Sequence, residues 1–200
     1  MKDNIEKIIN EVFGLYEKYG ESNYSGEAVS QYEHAFQAAD LAMLDGFDDE
    51  VVIAAFLHDI AHLFSELNES ELNNILGIKS IKKMGDYGVV GHERLAVNYL
   101  SKCGFSEKVL YLIQNHVNAK RYLVYKNPEY YDTLSVASKE TLEYQGGKMT
   151  KSEALHFARH PLFQLSLKMR EYDEKAKIEN LPIPDIVIYK QIALRLLTAL

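Results

Sequence analysis

Apolar residues recur at helical spacing from one end of this chain to the other, and no alternating apolar and polar run bounded by turns interrupts them. The pattern predicts an all-α fold. Asp3 with Glu6 reads as a capping-box start, with Gly20 behind the first helix. A second helix is expected from about Gly26 to Leu44, and a third from Asp48 or Asp49 through VVIAAFLHDIAHLF. Residues 66–90 are polar and glycine-punctuated, which suits a surface excursion with one short helix; Gly85, Gly88 and Gly91 lead from it into a helix beginning near His92. Ser106 caps the helix that holds His116, NPEYY (127–131) marks a turn, and the next helix ends at Gly146 and Gly147. Thr150 and Glu153 form another capping box, and Pro161 opens the helix carrying Arg170 and Asp173. LPIP (181–184) precedes an amphipathic last helix that docks on the core or on a second subunit.

Within the third helix the pattern changes in kind. His58, Asp59 and His62 interrupt a run that is otherwise apolar, and a lone buried carboxylate is strongly unfavourable unless a partner or a metal offsets it. The same residue types recur in order: His34, then His58 and Asp59 with His62, then His92, His116 and, much later, Asp173. A scattered histidine usually belongs to core or surface, but imidazoles and carboxylates on several helices of one small domain can converge on a bundle-core metal site. A carboxylate has two oxygens, so Asp59 can give one to each of two ions while His58 binds only one of them. The series therefore predicts a dinuclear centre.

Composition narrows what such a centre acts on. The 200 residues hold 22 Lys and Arg against 29 Asp and Glu, a formal charge of -7, which repels nucleic acid and acidic membrane surfaces. At 47% apolar content one well-buried core is expected. No apolar stretch is long enough to span a bilayer, the lone Cys103 has no disulfide partner, and MKDNIEKIINEVFG lacks signal-peptide order. A cytoplasmic monomer or homodimer is expected.

The order H…HD…H…H…D resembles the two-metal form of the HD-domain superfamily. More specific are YSGEAVSQYEH (24–34), HVNAKRYLVYKNPEYY (116–131), SKETLEYQGG (138–147), HPLF (160–163) and MREYDE (169–174). With these the chain is similar to the HD-domain mixed-valent diiron oxygenases that degrade organophosphonates. The resemblance runs from about Tyr24 to Lys175. It implies a helical bundle with a dinuclear site in its core, residues 1–200 forming a single HD domain with a helical extension from about 178. It implies His34, His58, Asp59 and Asp173 as ligands of one iron, and Asp59, His92 and His116 as ligands of the other, in an Fe(II)/Fe(III) pair. The implied reaction uses O2 to cleave the carbon-phosphorus bond of a 1-hydroxyphosphonate, with 2-amino-1-hydroxyethylphosphonate giving glycine and phosphate. A substrate-responsive gate at Tyr24 follows from the same resemblance.

The surrounding residues suit an anionic small molecule. Lys120 lies four residues after His116 and Arg170 three before Asp173, so each shares a helical face with a ligand. Cations beside metal ions are repelled unless an anion lies between, and Arg suits a bidentate grip on a phosphate-like group; otherwise both are surface charges. Glu27, Gln31 and His34 fall at i, i+4 and i+7, so Glu27 either solvates its helix or meets a substrate amine. His62, one turn from His58, is expected to act behind the ligands or on substrate. Ser138 either donates to the phosphonate or caps a helix. His156 and His160 are expected to be structural, the tyrosines at 122, 125, 130 and 131 to pack, and Glu93 to be a solvated first-turn acid.

Ligand identity leaves the redox question open, since an imidazole-rich set accepts Fe, Mn, Co, Ni or Zn. A metal-dependent phosphohydrolase acting on a nucleotide or phosphate monoester uses the same pair of ions, and a catalytically silent module stabilised by metal is a third reading. Tyr24, Glu27, Lys120, Ser138 and Arg170 favour the oxygenase. The long connection from His62 to His92 and the option of an N-methylated amine near Glu27 leave the substrate open.

Overall fold

The computed structural model describes residues 2–24 and 26–199. Among them every regular element is helical, with only two isolated β-bridges, Asn23 with Ser30 and Lys83 with Val89. In chain order come α1 (Lys2–Tyr19), α2 (Gln31–Leu44) and α3 (Asp49–Leu57), a 3-10 helix (Ile60–Glu66), α4 (Glu69–Leu76), α5 (His92–Lys102) and α6 (Glu107–Lys126). Three short helices follow, α7 (Pro128–Thr133), α8 (Val136–Tyr144) and α9 (Lys151–Phe157), and then α10 (Phe163–Lys175) and α11 (Val187–Thr198). No helix of the described residues is long and apolar enough to cross a membrane.

A helix that is apolar all round must be buried on every side, and α3 is: Val51 to Leu57 are all buried, with α2, α6, α10 and α11 packed around them. Phe56 meets the rings of Phe13, Tyr16 and Tyr189 at centroid distances of 5.4, 4.9 and 4.6 Å. The Tyr16 hydroxyl donates to the Phe56 carbonyl at 3.0 Å, near the helix end where carbonyls lack intrahelical partners. Tyr189, Ile192, Ala193 and Leu197 of α11 are buried, so the last helix docks within the chain. Each large apolar side chain buried this way contributes about 1.5–3 kcal/mol.

Several boundaries differ from the sequence expectation, each for a local reason. α2 begins at Gln31 because Ser30 and Glu33 form the capping box: Ser30 Oγ accepts from the Glu33 N–H at 3.1 Å, and the Glu33 carboxylate accepts from the Ser30 N–H at 2.7 Å. Glu27 therefore sits on the preceding loop, off the helical face it was expected to share with Gln31 and His34. α3 stops at Leu57, where the chain bends through His58 and Asp59 into the 3-10 helix, so His58 and His62 are not successive turns of one helix. NPEYY is not a bare turn, since Asn127 caps α7 and Pro128 opens it. α1 already includes Lys2, which places Asp3 within its first turn instead of at a cap, and α10 begins at Phe163, after a turn that contains Pro161. Residues 66–90 do hold one short helix, α4.

Candidate metal centre

Five elements deliver six buried side chains to one place: His34 from α2, His58 and Asp59 from the bend after α3, His92 from the start of α5, His116 from α6 and Asp173 from α10. They form two halves about Asp59. Its Oδ2 lies 3.7 Å from His34 Nε2 and 3.4 Å from His58 Nε2, and Asp173 Oδ1 lies 3.5 and 3.9 Å from the same nitrogens. Its Oδ1 lies 3.2 Å from His92 Nε2 and 3.5 Å from His116 Nε2. The carboxylate thus turns one oxygen to each half, and the bend after α3 is what aims it there.

Hydrogen bonds behind the rings set their tautomers. Nδ1 of His34, His58 and His116 donates to the carbonyls of Ala176, Ala55 and Ile113 at 2.8, 2.8 and 2.7 Å. A neutral imidazole held so keeps a lone pair on Nε2, the form a metal takes. Yet Nε2 of His34 and His58 stand 3.1 Å apart, and those of His92 and His116 3.0 Å, where facing lone pairs repel. Asp59 Oδ1 is also buried without a hydrogen-bond partner. Each half therefore calls for a positive charge, and two metal ions fit the donor set.

The ionisation of the cluster agrees. Burial pushes His34 down to about 4 and His116 to about 3. Burial also opposes charge on His58, but Asp59 and Asp173 outweigh it and hold the ring at about 9; Asp59 likewise raises His92 against burial. One cation-favouring histidine lies in each half. Despite burial, both carboxylates stay well below the usual range, Asp59 chiefly through His58 and Asp173 chiefly through Arg170.

His92 lacks a carbonyl behind it. Its Nδ1 is buried and unpartnered, 3.8 Å from Glu93 Oε2, which is itself buried and unpartnered. Glu93 is thus not the solvated acid expected, because its side chain turns in beside His92 while Arg94 next to it faces solvent.

His62 behaves differently. Distance groups it with Asp59 and His92, its Nε2 lying 3.9 Å from Asp59 Oδ1. However, its Nδ1 accepts the Val89 N–H at 3.0 Å, and burial pushes the ring down to about 3, so the neutral ring carries its proton on Nε2 and serves as a donor instead of a ligand. Gly88 makes this approach possible: its φ is +97°, and a Cβ there would fall 2.2 Å from His62 Nδ1. The 66–90 excursion accordingly ends against the site.

Beside the cluster lies a cavity of about 50 Å³. On one wall, buried Lys120 donates to Thr141 Oγ1 at 3.0 Å and to the Ser138 carbonyl at 3.3 Å. Burial, and then the charge of Arg170, push this lysine down to about 7. Arg170 pairs Nη1 with Asp173, and Nε with Glu174 at 2.7 Å and the Tyr130 hydroxyl at 3.1 Å, while Nη2 lies 3.4 Å from Ser138 Oγ. Ser135 caps α8, which leaves the Ser138 hydroxyl for the cavity.

On the other wall Tyr24 stacks on His34 with centroids 3.8 Å apart, and its hydroxyl lies 3.0 Å from Asp59 Oδ2 and 3.3 Å from Asp173 Oδ1. Burial, then Asp173, raise this phenol well above its usual range, so it stays protonated. Gln31 lines the same cavity and donates weakly to the Asn23 carbonyl at 3.5 Å. Glu27 lines it too, paired with Lys177.

All the residues singled out for ligation or substrate contact thus meet here. His156 and His160 stay apart: both are exposed, α9 ends between them, and His160 stacks on Tyr111 at 3.7 Å. Tyr122 packs against Phe157 and Phe163. Sequence reasoning missed Lys177, Thr141, Tyr87 and the site role of Tyr130. Lys177 stands four residues after Asp173, a spacing that could have flagged it although α10 ends at Lys175, while the other three carry no helical-face relation to a ligand.

The HD domain family matches residues 31–178. An uncharacterized protein of Acanthamoeba polyphaga mimivirus is 41% identical over 199 residues, 98% of this chain and 86% of its own. A protein of Gimesia maris named hydroxymethylphosphonate dioxygenase is 35% identical over 181 residues, 90% of this chain and 84% of its own. A protein of Leisingera caerulea, named as the glycine-betaine-forming dioxygenase of 1-hydroxy-2-(trimethylamino)ethylphosphonate, is 32% identical over 184 residues, 92% and 87% of the two chains.

Proposed function

Because the chain belongs to the HD-domain family, within the group that includes the hydroxyphosphonate dioxygenases, we propose that it is a non-heme diiron oxygenase that uses O2 to cleave the carbon-phosphorus bond of a 1-hydroxyphosphonate. The observation that carries this reading is the meeting of two unlike surfaces across one small cavity: the cluster about Asp59, and the wall of Lys120, Ser138 and Arg170. Cationic side chains beside metal ions are repelled unless an anion lies between, and a phosphonate whose adjacent carbon bears a hydroxyl spans that gap.

In this reading His34, His58, Asp59 and Asp173 hold one iron, and Asp59, His92 and His116 the other. When bound, the mixed-valent pair supplies the site and the electrons with which O2 is activated. Lys120 and Arg170 Nη2 hold the phosphonate, and Ser138 donates to it. Tyr24 moves off Asp59 to admit the substrate hydroxyl, acting as a gate. His62 donates its Nε2 proton to an oxygen in the cavity. The balance closes: one O2 is consumed, the carbinol C–H and C–P bonds break, the carbon leaves as a carboxylate and the phosphorus as phosphate.

With 2-amino-1-hydroxyethylphosphonate the products are glycine and phosphate, and Glu27 receives the substrate ammonium. The Glu27 pair with Lys177 favours a second reading, in which the substrate carries no cation, as in hydroxymethylphosphonate. We take residues 1–200 to work as one HD unit with a helical extension from about 178, in the cytoplasm, as monomer or homodimer. Iron-loaded protein given either phosphonate should release phosphate with equimolar O2 uptake, and neither without oxygen. Phosphate release from a nucleotide or phosphate monoester under anaerobic conditions would instead support the hydrolase.

A further inference from the structure

The Tyr24–Glu27 turn, closed by the Glu27 N–H donating to the Tyr24 carbonyl at 2.9 Å, is fastened from outside by one side chain. Lys177 Nζ lies 2.5 Å from Glu27 Oε1 and 5.8 Å from the centroid of the Tyr24 ring. The Lys177 and Glu27 side chains are only 18% and 15% exposed, so the pair is largely out of water, where an unpartnered charge is costly. Lys177 also follows directly on Ala176, whose carbonyl holds His34, and it lines the same cavity as Lys120 and Arg170.

We infer that Lys177 is a specificity-determining residue: its ammonium occupies the position that a substrate cation would take on Glu27, so the cavity selects 1-hydroxyphosphonates that carry no cationic group. This deepens the oxygenase reading and rests on it for the reaction. An aminated substrate must compete with a tethered lysine for one carboxylate and leave that lysine beside Arg170 and Lys120, a like-charge penalty that disfavours the aminated competitor. A hydroxymethylphosphonate carries no cation and meets neither obstacle, because the Glu27–Lys177 pair is left intact. Glu27 in this scheme neutralises Lys177 and does not touch the substrate.

The test compares kcat/KM for hydroxymethylphosphonate and 2-amino-1-hydroxyethylphosphonate in the wild type, Lys177→Met and Lys177→Arg, all iron-loaded. The wild type is expected to favour the unaminated substrate by about tenfold or more, and Lys177→Met to erase or invert that ratio, about 1.4 kcal/mol per tenfold. Lys177→Arg, which keeps the charge, should retain the preference and show that loss of the turn's fold is not the cause. A wild type that prefers the amine, or a ratio unmoved in Lys177→Met, overturns the inference. If the wild type turns over neither phosphonate, the oxygenase reading fails separately. Binding of methylphosphonate and 2-aminoethylphosphonate to the metal-loaded proteins then decides the point: a preference for methylphosphonate lost only in Lys177→Met supports it, and equal affinities in the wild type overturn it.

Discussion

On the ligand side of the cavity, imidazoles are pinned from behind: the carbonyls of Ala176, Ala55 and Ile113 fix the rings of His34, His58 and His116. On the entry side, the Tyr24 hydroxyl and Glu27 are held by Asp59, Asp173 and Lys177, groups that themselves line the cavity. Two of the three carbonyls behind the rings lie where α3 and α10 end, and helix-end carbonyls need partners in any case. The rings on the cluster side are therefore oriented by backbone, while Tyr24 and Glu27 on the entry side are held by side chains that line the cavity.

The contrast sharpens under substitution. Asp59→Asn, which leaves one oxygen and puts an amide N–H toward the other half, is expected to abolish turnover and lower bound metal, read by metal analysis of the purified protein. Lys120→Met should reduce kcat/KM for a phosphonate by about 100-fold, as expected for removing one buried partner of an anion. Lys120 sits near 7, below a free lysine, so its anion-binding protonated form prevails below that pH and is lost as pH rises. Phosphonate affinity of the wild type should fall above about pH 7, and Lys120→Met should lose that dependence; the same fall in both would remove Lys120 from the anion site.

Smaller effects probe the supports. Gly88→Ala forces a Cβ against His62 at a left-handed φ and should destabilise the fold by about 1–3 kcal/mol, lowering Tm and raising KM together. Tyr16→Phe removes the hydrogen bond to the Phe56 carbonyl at a residue that does not line the cavity. It should cost about 1 kcal/mol, or about 2–4 °C in Tm for a chain of this size, with kcat unchanged. A kcat effect there would mean that the α3 end transmits strain to Asp59.

How much of this was legible in the sequence follows the same divide. Helix order and the caps at Asp48, Ser106 and Thr150 were readable because helical periodicity and capping are local, whereas the six candidate ligands were named from the order of their residue types and the family resemblance. The start of α2 was readable too, since Ser30 and Glu33 carry the capping-box spacing that identified Thr150 and Glu153, but the apolar pattern upstream ran past it. The bend at His58 was not readable: an apolar run continues on both sides of it, so periodicity carries no mark of where α3 stops. Nor was the pairing of Lys177, which follows the last turn of α10 and meets a residue 150 positions earlier.

The central claim is that Asp59 gives one oxygen to each of two ions. Iron-loaded protein, assayed for metal content and by low-temperature EPR after partial oxidation, tests it most directly. Two irons per chain with the signal of a coupled mixed-valent pair, lost in Asp59→Asn, is the predicted result. One iron per chain, or two that give only uncoupled ferric and ferrous signatures, would contradict it.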